Sequence, residues 1–339
     1  MKIVVDTMGG DKDIPDINIE GALYAVKEIE GLNVLLVGPQ KIVEEKLDSI
    51  SKKIFLRKYL KNLSIVNAED TVSMEEQPSK ALRTKQSSSI AVGIKLIKDN
   101  LADGFVSAGN SGVIMAFALT QIGTVKNVSR PAIATMLPTL NSSCIVLDVG
   151  ANVDCKPSQL VELAYMGSIY SEYILGKKEP KVALLSIGNE DTKGNQQVLE
   201  AYKMLKKTKL NFIGNIEGKD IPFGVADVVI TDGFVGNIIL KFGEGVSEML
   251  LSLIKQALKK HPFVMLSLPF VWNAIRDIRK KVDFTEYGGA PLIGLEKVCI
   301  ISHGRSNAKA IKNAIKVATQ MVEKKVNSII SQYMEKVVI

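Results

Sequence analysis

The sequence predicts an α/β protein, a mostly parallel sheet in an α/β/α sandwich that forms one domain over residues 1–339, with a protruding helical hairpin at 247–282. Short runs rich in Val and Ile recur along the chain. Each is followed by a Gly, Asn or Asp turn and then by a stretch of helical period. Several of the runs are apolar on both faces, as strands buried between two helical layers require. At 339 residues, 46% hydrophobic and 23% charged, the chain can bury a large core, and no Pro/Gly/Ser tract or charge block marks a linker.

The first strand is read at 3–6 and its helix at 17–29. A strand at 33–37 precedes a helix at 42–51. Next, a helix at 88–99 leads into a strand at 103–107 and a helix at 113–121. The remaining pairs are strand 145–148 with helix 158–173, strand 181–186 with helix 198–207, and strand 297–301 with helix 308–330; strand 227–231 feeds the excursion. Ligands of open α/β sheets sit beyond the carboxyl ends of the strands. The loops after the strands are therefore expected to gather at one sheet edge and carry the chemistry.

Composition narrows the function. The opening Met1-Lys2-Ile3-Val4-Val5-Asp6 reads as a strand rather than a leader, so a cytoplasmic protein is expected. Three widely spaced cysteines, Cys144, Cys155 and Cys299, suit a reducing compartment. With no CxxC or HExxH and only His261 and His303, neither a metal nor a cofactor is called for. A net charge of +7 favours acidic partners. No helix-turn-helix, RNP-like motif or Arg stripe points to nucleic acid.

Six loops concentrate polar and glycine residues. The first is Asp6-Thr7-Met8-Gly9-Gly10-Asp11, whose paired glycines let backbone approach a ligand. In Ser107-Ala108-Gly109-Asn110-Ser111-Gly112, small residues open a helix, which suits an anion and also suits ordinary capping. Asp148, Asn152, Asp154, Cys155 and Lys156 crowd one turn, where Cys155 is a conceivable acyl-accepting thiolate. Lys193 and Asn195 follow the strand at 181–186. Asp232 and Asn237 open a helix carrying Lys241, and Ser302-His303-Gly304-Arg305-Ser306 offers a fork-shaped cation. Such a concentration points to a shared anionic-ligand cleft.

In the excursion, the apolar tip includes Phe263, Leu266, Leu268, Phe270 and Trp272, too short and proline-broken to span a bilayer. Lys255, Lys259, Lys260, Arg276, Arg279, Lys280 and Lys281 flank it. Peripheral contact with an anionic membrane surface fits that pattern, and packing against a second subunit is the alternative.

These loops, taken with Arg130-Pro131-Ala132, Lys193-Gly194-Asn195, Tyr287-Gly288-Gly289-Ala290-Pro291 and Ser302-His303-Gly304, run in order through nearly the whole chain. Together they resemble the bacterial phosphate acyltransferases of phospholipid synthesis. Asn189 and Ser186 depart from that family's usual acid and asparagine. The resemblance implies a fold similar to phosphotransacetylases and to isocitrate or isopropylmalate dehydrogenases, a homodimer, peripheral membrane association, and an acyl-ACP donor whose acyl group passes to inorganic phosphate.

For such a reaction the expected phosphate and substrate contacts are Asp6, Gly9, Gly10, Ser107, Gly109, Asn110, Ser111, Asn152, Lys156, Asn237 and Arg305. Lys193 is expected to stabilise the oxyanion beside Asn195, Asp232 to orient a lysine or the pantetheine arm, and His303 to protonate the departing thiolate. Three rival readings remain: acyl exchange between CoA and phosphate, a decarboxylating NAD-dependent dehydrogenase, and a non-catalytic scaffold that recruits ACP to a membrane surface.

Overall fold

The computed structural model describes residues 1–53, 56–260, 276 and 288–337. Eleven strands form one sheet in the order β3-β2-β1-β4-β11-β10-β5-β6-β9-β7-β8. In chain order they are β1 (Lys2–Asp6), β2 (Asn33–Gly38), β3 (Leu63–Asn67), β4 (Gly104–Ser107), β5 (Ala132–Pro138), β6 (Ser143–Leu147), β7 (Val182–Leu185), β8 (Phe212–Ile216), β9 (Val228–Ile230), β10 (Ala290–Ile293) and β11 (Val298–Ile301). All pairs are parallel except those of β10 with β11, β10 with β5, and β5 with β6. Three reversals give two parallel half-sheets that run in opposite directions, joined through β10 and β5.

Alternation along the strands builds the two helical layers. Ile3 and Val5 of β1 enter one core while Val4 enters another. The first core is continuous across both half-sheets and includes residues of α1 (Asp16–Glu28), α6 (Pro157–Leu175) and α9 (Ala308–Glu323). On the opposite face the core divides. One cluster holds α4 (Ser89–Lys98) and α5 (Ser111–Gln121) against the first half-sheet; the other sets Ile239 and Leu240 of α8 (Gly233–Lys260) against the second.

The strand register decides where the loops meet. Ile301 lies level with Ala290, and Ile293 with Ala132. Ala134 then lies level with Leu147, which lies level with Ile230. Following that ladder, the carboxyl ends of β11 in one half and of β6 and β9 in the other differ in height by about one residue's rise, roughly 3.3 Å. The loops therefore do not share one sheet edge, as expected from sequence. They leave two opposed half-sheets at one level, and the stagger of β10 and β5 makes this possible.

All seven sequence-predicted strands are present, and β3, β5, β8 and β10 are additional. The helix read at 308–330 is two, α9 and α10 (Val326–Met334), because Lys325 adopts a left-handed φ of 51°. Residues 247–260, read as the first arm of a separate hairpin, are the continuation of α8. The rest of that excursion, including Phe263, Leu266, Leu268, Phe270 and Trp272, lies outside the described residues apart from Arg276. No described helix is long and apolar enough to cross a membrane.

Candidate active site

In the first half-sheet, β1 ends on Asp6, which is buried beneath the loop it begins. Its carboxylate accepts hydrogen bonds from the Ser107 hydroxyl at 2.6 Å and the Met8 amide at 2.9 Å. Burial pushes the Asp6 pKa above the ordinary carboxylate range, and bonds from Ser107, Ser89, Met8 and Gly9 pull it part of the way back. Gly9 is required by close approach, since a Cβ there would lie 2.5 Å from the Gly109 nitrogen. Asn18 adds two donors, to the carbonyls of Thr7 and Gly9.

Asn110 is the N-cap of α5, where its side-chain oxygen accepts from the Val113 amide at 3.1 Å. Its NH2 donates to the carbonyls of Met74 and Glu76. The Asn110 side chain is thus engaged in capping and in tethering the 74–76 loop, while Ser111 stays exposed beside it. A third loop joins these two: the Asp11 amide donates to the Gly304 carbonyl at 2.9 Å.

Loop 302–306 follows β11. The Nδ1 of His303 accepts from the Arg305 amide at 3.0 Å, which leaves the proton of the neutral imidazole on Nε2. That nitrogen lies 3.4 Å from the Lys241 Nζ and 3.9 Å from Glu244, both on α8. Burial, then the charge of Lys241, lower the His303 pKa. Arg305 itself reaches outward to Glu248 at 3.3 Å, an exposed pair.

The second half-sheet supplies Asp148, fully buried just past β6. Its Oδ1 accepts from the amides of Ile133, Gly150 and Ala151, and its Oδ2 from both the amide and the side chain of Asn152. Burial raises its pKa against the pull of these donors. Five N–H groups aimed at two oxygens form a seat for a carboxylate, not for a carboxylic acid. Asn152 also donates to the Pro131 carbonyl at 2.8 Å, so both hydrogens of its amide are spent inside the fold.

Helix α8 presses on this turn. A Cβ at Gly236 would lie 1.9 Å from the Asp148 carbonyl oxygen, so only glycine permits the contact. Asp232 caps the helix by accepting from the Val235 amide at 2.8 Å. Asn237 is exposed one turn on, near Gly150. From there α8 runs to Lys241 and Glu244 at His303, linking the loops of the two half-sheets.

Cys155 donates weakly to the Asn152 carbonyl, and its pKa is pushed up to about 12 by burial and by the charges of Asp148 and Asp232. A thiol in that state is not an acyl-accepting thiolate at neutral pH. Lys193 is exposed in the loop after β7, where its main chain bonds to Ser186, Glu190 and Asn215. Asn195 is the N-cap of α7 (Gln196–Leu205), accepting from the Val198 amide. Among the described residues, no hydrogen bond joins Lys193 or Asn195 to Asp148. Lys156 is exposed at the start of α6, and Gly10 sits at a φ of 138° in the loop it was read in.

Sequence reasoning did not give the parts of this arrangement that come from between the motifs. Ser89, Asn18 and Glu244 belong to helices and carry no local signal. Lys241 was visible only as a cation on a helix.

A family model described as fatty acid synthesis protein matches residues 1–329. The chain is 49% identical to a phosphate acyltransferase from Endomicrobium trichonymphae, over 93% of this chain and 92% of that protein. It is 48% identical to a phosphate acyltransferase from Thermodesulfovibrio yellowstonii, over 98% and 94%. Among solved structures, a phosphotransacetylase from Streptococcus pyogenes matches with a TM-score of 0.60 at 17% identity, over 96% of this chain and 94% of that one. One from Staphylococcus aureus matches at 0.59 and 18%, over 95% and 94%. These two likenesses show the α/β fold. Matched along nearly its whole length at these identities, the chain is an acyltransferase and belongs to the fatty acid synthesis protein family, beside the phosphate acyltransferases.

Proposed function

We propose that this protein moves a long-chain acyl group from the thioester of acyl-ACP to inorganic phosphate, producing an acyl phosphate for glycerophospholipid synthesis. The observation that carries the reading is the convergence of Gly-rich loops from two opposed half-sheets at one level, with Lys241, His303 and Arg305 along their rim. Relatives named for acyl transfer to phosphate support the same class of chemistry.

Phosphate is a competent oxygen nucleophile near neutral pH, so the protein's task is positioning and charge stabilisation. A phosphate oxygen attacks the thioester carbonyl carbon, and the carbonyl electron pair moves onto oxygen. The tetrahedral intermediate then collapses, the C–S bond breaks, and sulfur leaves with that pair as a thiolate. Lys193, on its exposed loop, is the proposed partner of the oxyanion. His303 does not fit the role of acid, because its lowered pKa leaves little imidazolium at pH 7. Asp6 and Asp148 hold the loops in place from beneath.

Two partner assignments follow, one from the described surface and one from sequence. Phe234, Ile238, Phe242, Met249 and Leu253 form an exposed apolar stripe along α8, which fits a homodimer contact. The basic, apolar-tipped sequence of 263–281 fits contact with anionic lipid. In liposome flotation, Leu266→Glu combined with Phe270→Glu should abolish binding and spare activity in solution.

Incubation with palmitoyl-ACP, with and without phosphate, tests the reaction. Phosphate-dependent release of ACP thiol, matched by acyl phosphate in the mass spectrum, is expected. Turnover of acetyl-CoA with inertness toward ACP would replace this reading by CoA–phosphate exchange, and binding without turnover would replace it by the scaffold.

A further inference from the structure

Between α5 and β5 the chain passes through Ser129, Arg130 and Pro131, and the fold invests two buried polar side chains in fixing those residues. Glu162 of α6, almost fully buried, accepts from the Ser129 amide at 2.9 Å and from the Ser129 hydroxyl at 2.7 and 2.8 Å. On the other side, buried Asn152 donates to the Pro131 carbonyl at 2.8 Å. Arg130, held between these two clamps, is exposed. Among the described residues its guanidinium makes no ion pair and no hydrogen bond.

A buried carboxylate given over to one serine is expensive unless the geometry it enforces matters. What it enforces here is the path of the main chain from which the Arg130 side chain leaves. The neighbouring strand of chain adds a second cation. Gln159 accepts from the Lys156 amide at 2.7 Å and donates to the Ser129 hydroxyl at 3.4 Å, so the Lys156 and Arg130 turns are bridged by a single side chain. Cys155 directly precedes Lys156, and its thiol feels the charge of Arg130. Both cations therefore flank the turn built on Asp148, on the β6 side of the loops that meet there.

We propose that Arg130, with Lys156 beside it, is an anchor for a phosphate group of a substrate, held by the planar fork of the guanidinium. An arginine whose main chain is clamped on both sides and whose guanidinium donors are uncommitted among the described residues matches phosphate oxygens two at a time, which a lysine cannot do. The inference rests on the acyl-transfer reading for its substrates, which offer two sources of that chemistry: inorganic phosphate, and the phosphodiester of the donor's pantetheine arm. Arg130 is a substrate-anchoring residue in this account, and Glu162 and Asn152 are positioning residues.

The test compares Arg130→Ala and Arg130→Lys in the full chain, with Lys126→Ala as a control for general loss of positive charge. Inorganic phosphate and 4′-phosphopantetheine are each titrated calorimetrically, and KM is measured for phosphate and for acyl-ACP. Loss of a charge-assisted bond to phosphate should weaken one of the two ligands by roughly 10- to 100-fold in Arg130→Ala, with the melting temperature near parental. Arg130→Lys should recover only part of the loss, and Lys126→Ala should show none. Weakening confined to inorganic phosphate assigns the anchor to the nucleophile; weakening confined to phosphopantetheine and the donor KM assigns it to the arm.

If neither ligand is weakened, or if Lys126→Ala weakens them equally, the anchor is refuted. A lowered melting temperature with unchanged affinities also refutes it, by making Arg130 structural. Arginine-dependent phosphate binding in a protein that transfers no acyl group would sink the acyl-transfer reading and leave the anchor standing.

Discussion

Asp6 and Asp148 occupy matching places in the two half-sheets, one the last residue of β1 and the other the first beyond β6, and both are buried carboxylates with pKa values raised by burial. Their partners differ. The donors to Asp148 are four backbone amides and one side chain, most of them within four residues in sequence. Asp6 takes amides of Met8 and Gly9 from its own loop, and beyond them the hydroxyls of Ser89 and of Ser107, the latter 101 residues away on the adjacent strand. The Asp148 turn is thus largely self-contained, and it can serve as the rigid seat against which α8 docks through Gly236. The Asp6 loop takes shape only when β1 and β4 have paired, so it ties two strand-end loops together.

The sharpest way to break that comparison is Asp148→Asn. An amide offers one acceptor where five donors converge, and its NH2 faces N–H groups. One or two buried donors are left unsatisfied at 1–3 kcal/mol each, so a loss of about 3 kcal/mol is expected in urea unfolding. An effect under about 1 kcal/mol would show that the seat tolerates a neutral occupant.

Activity gives the second test. If the loop after β7 delivers the charge that stabilises the oxyanion, Lys193→Ala should lower kcat on the order of 10²-fold, with stability unchanged because the side chain is exposed. Near-parental turnover would remove Lys193 and shift the chemistry toward α8 and the first half-sheet. Cys155→Ser should stay close to parental in the same assay, since the thiol is protonated at working pH.

Asp6→Asn is the smaller counterpart to Asp148→Asn. The amide oxygen can keep the bonds from the Met8 and Gly9 amides, and the Ser107 and Ser89 hydroxyls can turn to accept from the new NH2 while giving up their donor role. About 1 kcal/mol is expected from unfolding measurements. Equal losses at the two aspartates would erase the proposed difference between a seat of fixed amides and an adaptable hydroxyl.

The two half-sheets were also unequally legible from sequence. β1, β4, β6, β7, β9 and β11 announce themselves as short Val- and Ile-rich runs, because buried parallel strands must be apolar on both faces. β5, as Ala132–Pro138, mixes Thr, Met and Pro and lies only partly buried, so it gives no such run. β10 is four residues that include Pro291. Those two are the antiparallel strands that set the stagger, so missing them led to the expectation of one sheet edge. The loops were legible as polar and Gly-rich, but the roles of their side chains were not. Asn110, Asn195 and Asp232 have the residue types of anion contacts and of N-caps alike, and only their hydrogen bonds to Val113, Val198 and Val235 distinguish the two.

His303 carries the smallest expected effect and the one that joins the two regions, since its loop belongs to the first half-sheet and its neighbour Lys241 to the helix docked on the second. Its folded pKa lies below the unfolded value of about 6.5. Between those two values the unfolded chain binds more protons, so stability rises with pH across that window and falls as pH drops through the folded pKa. Among the described residues, the ring is faced by Lys241, Glu244, Arg305 and Asp11; the two cations oppose its protonation and the two acids favour it. His303→Gln should therefore flatten the decline in melting temperature between pH 7.5 and pH 5, while leaving the value at pH 7.5 almost unchanged. Lys241→Met should flatten it too, by removing the nearest opposing charge, and this effect depends on α8 being seated at Asp148. Were Lys241→Met to leave the pH profile untouched while His303→Gln altered it, burial alone would account for the shift, and the link from the Asp148 seat through α8 to the His303 loop would have no electrostatic content.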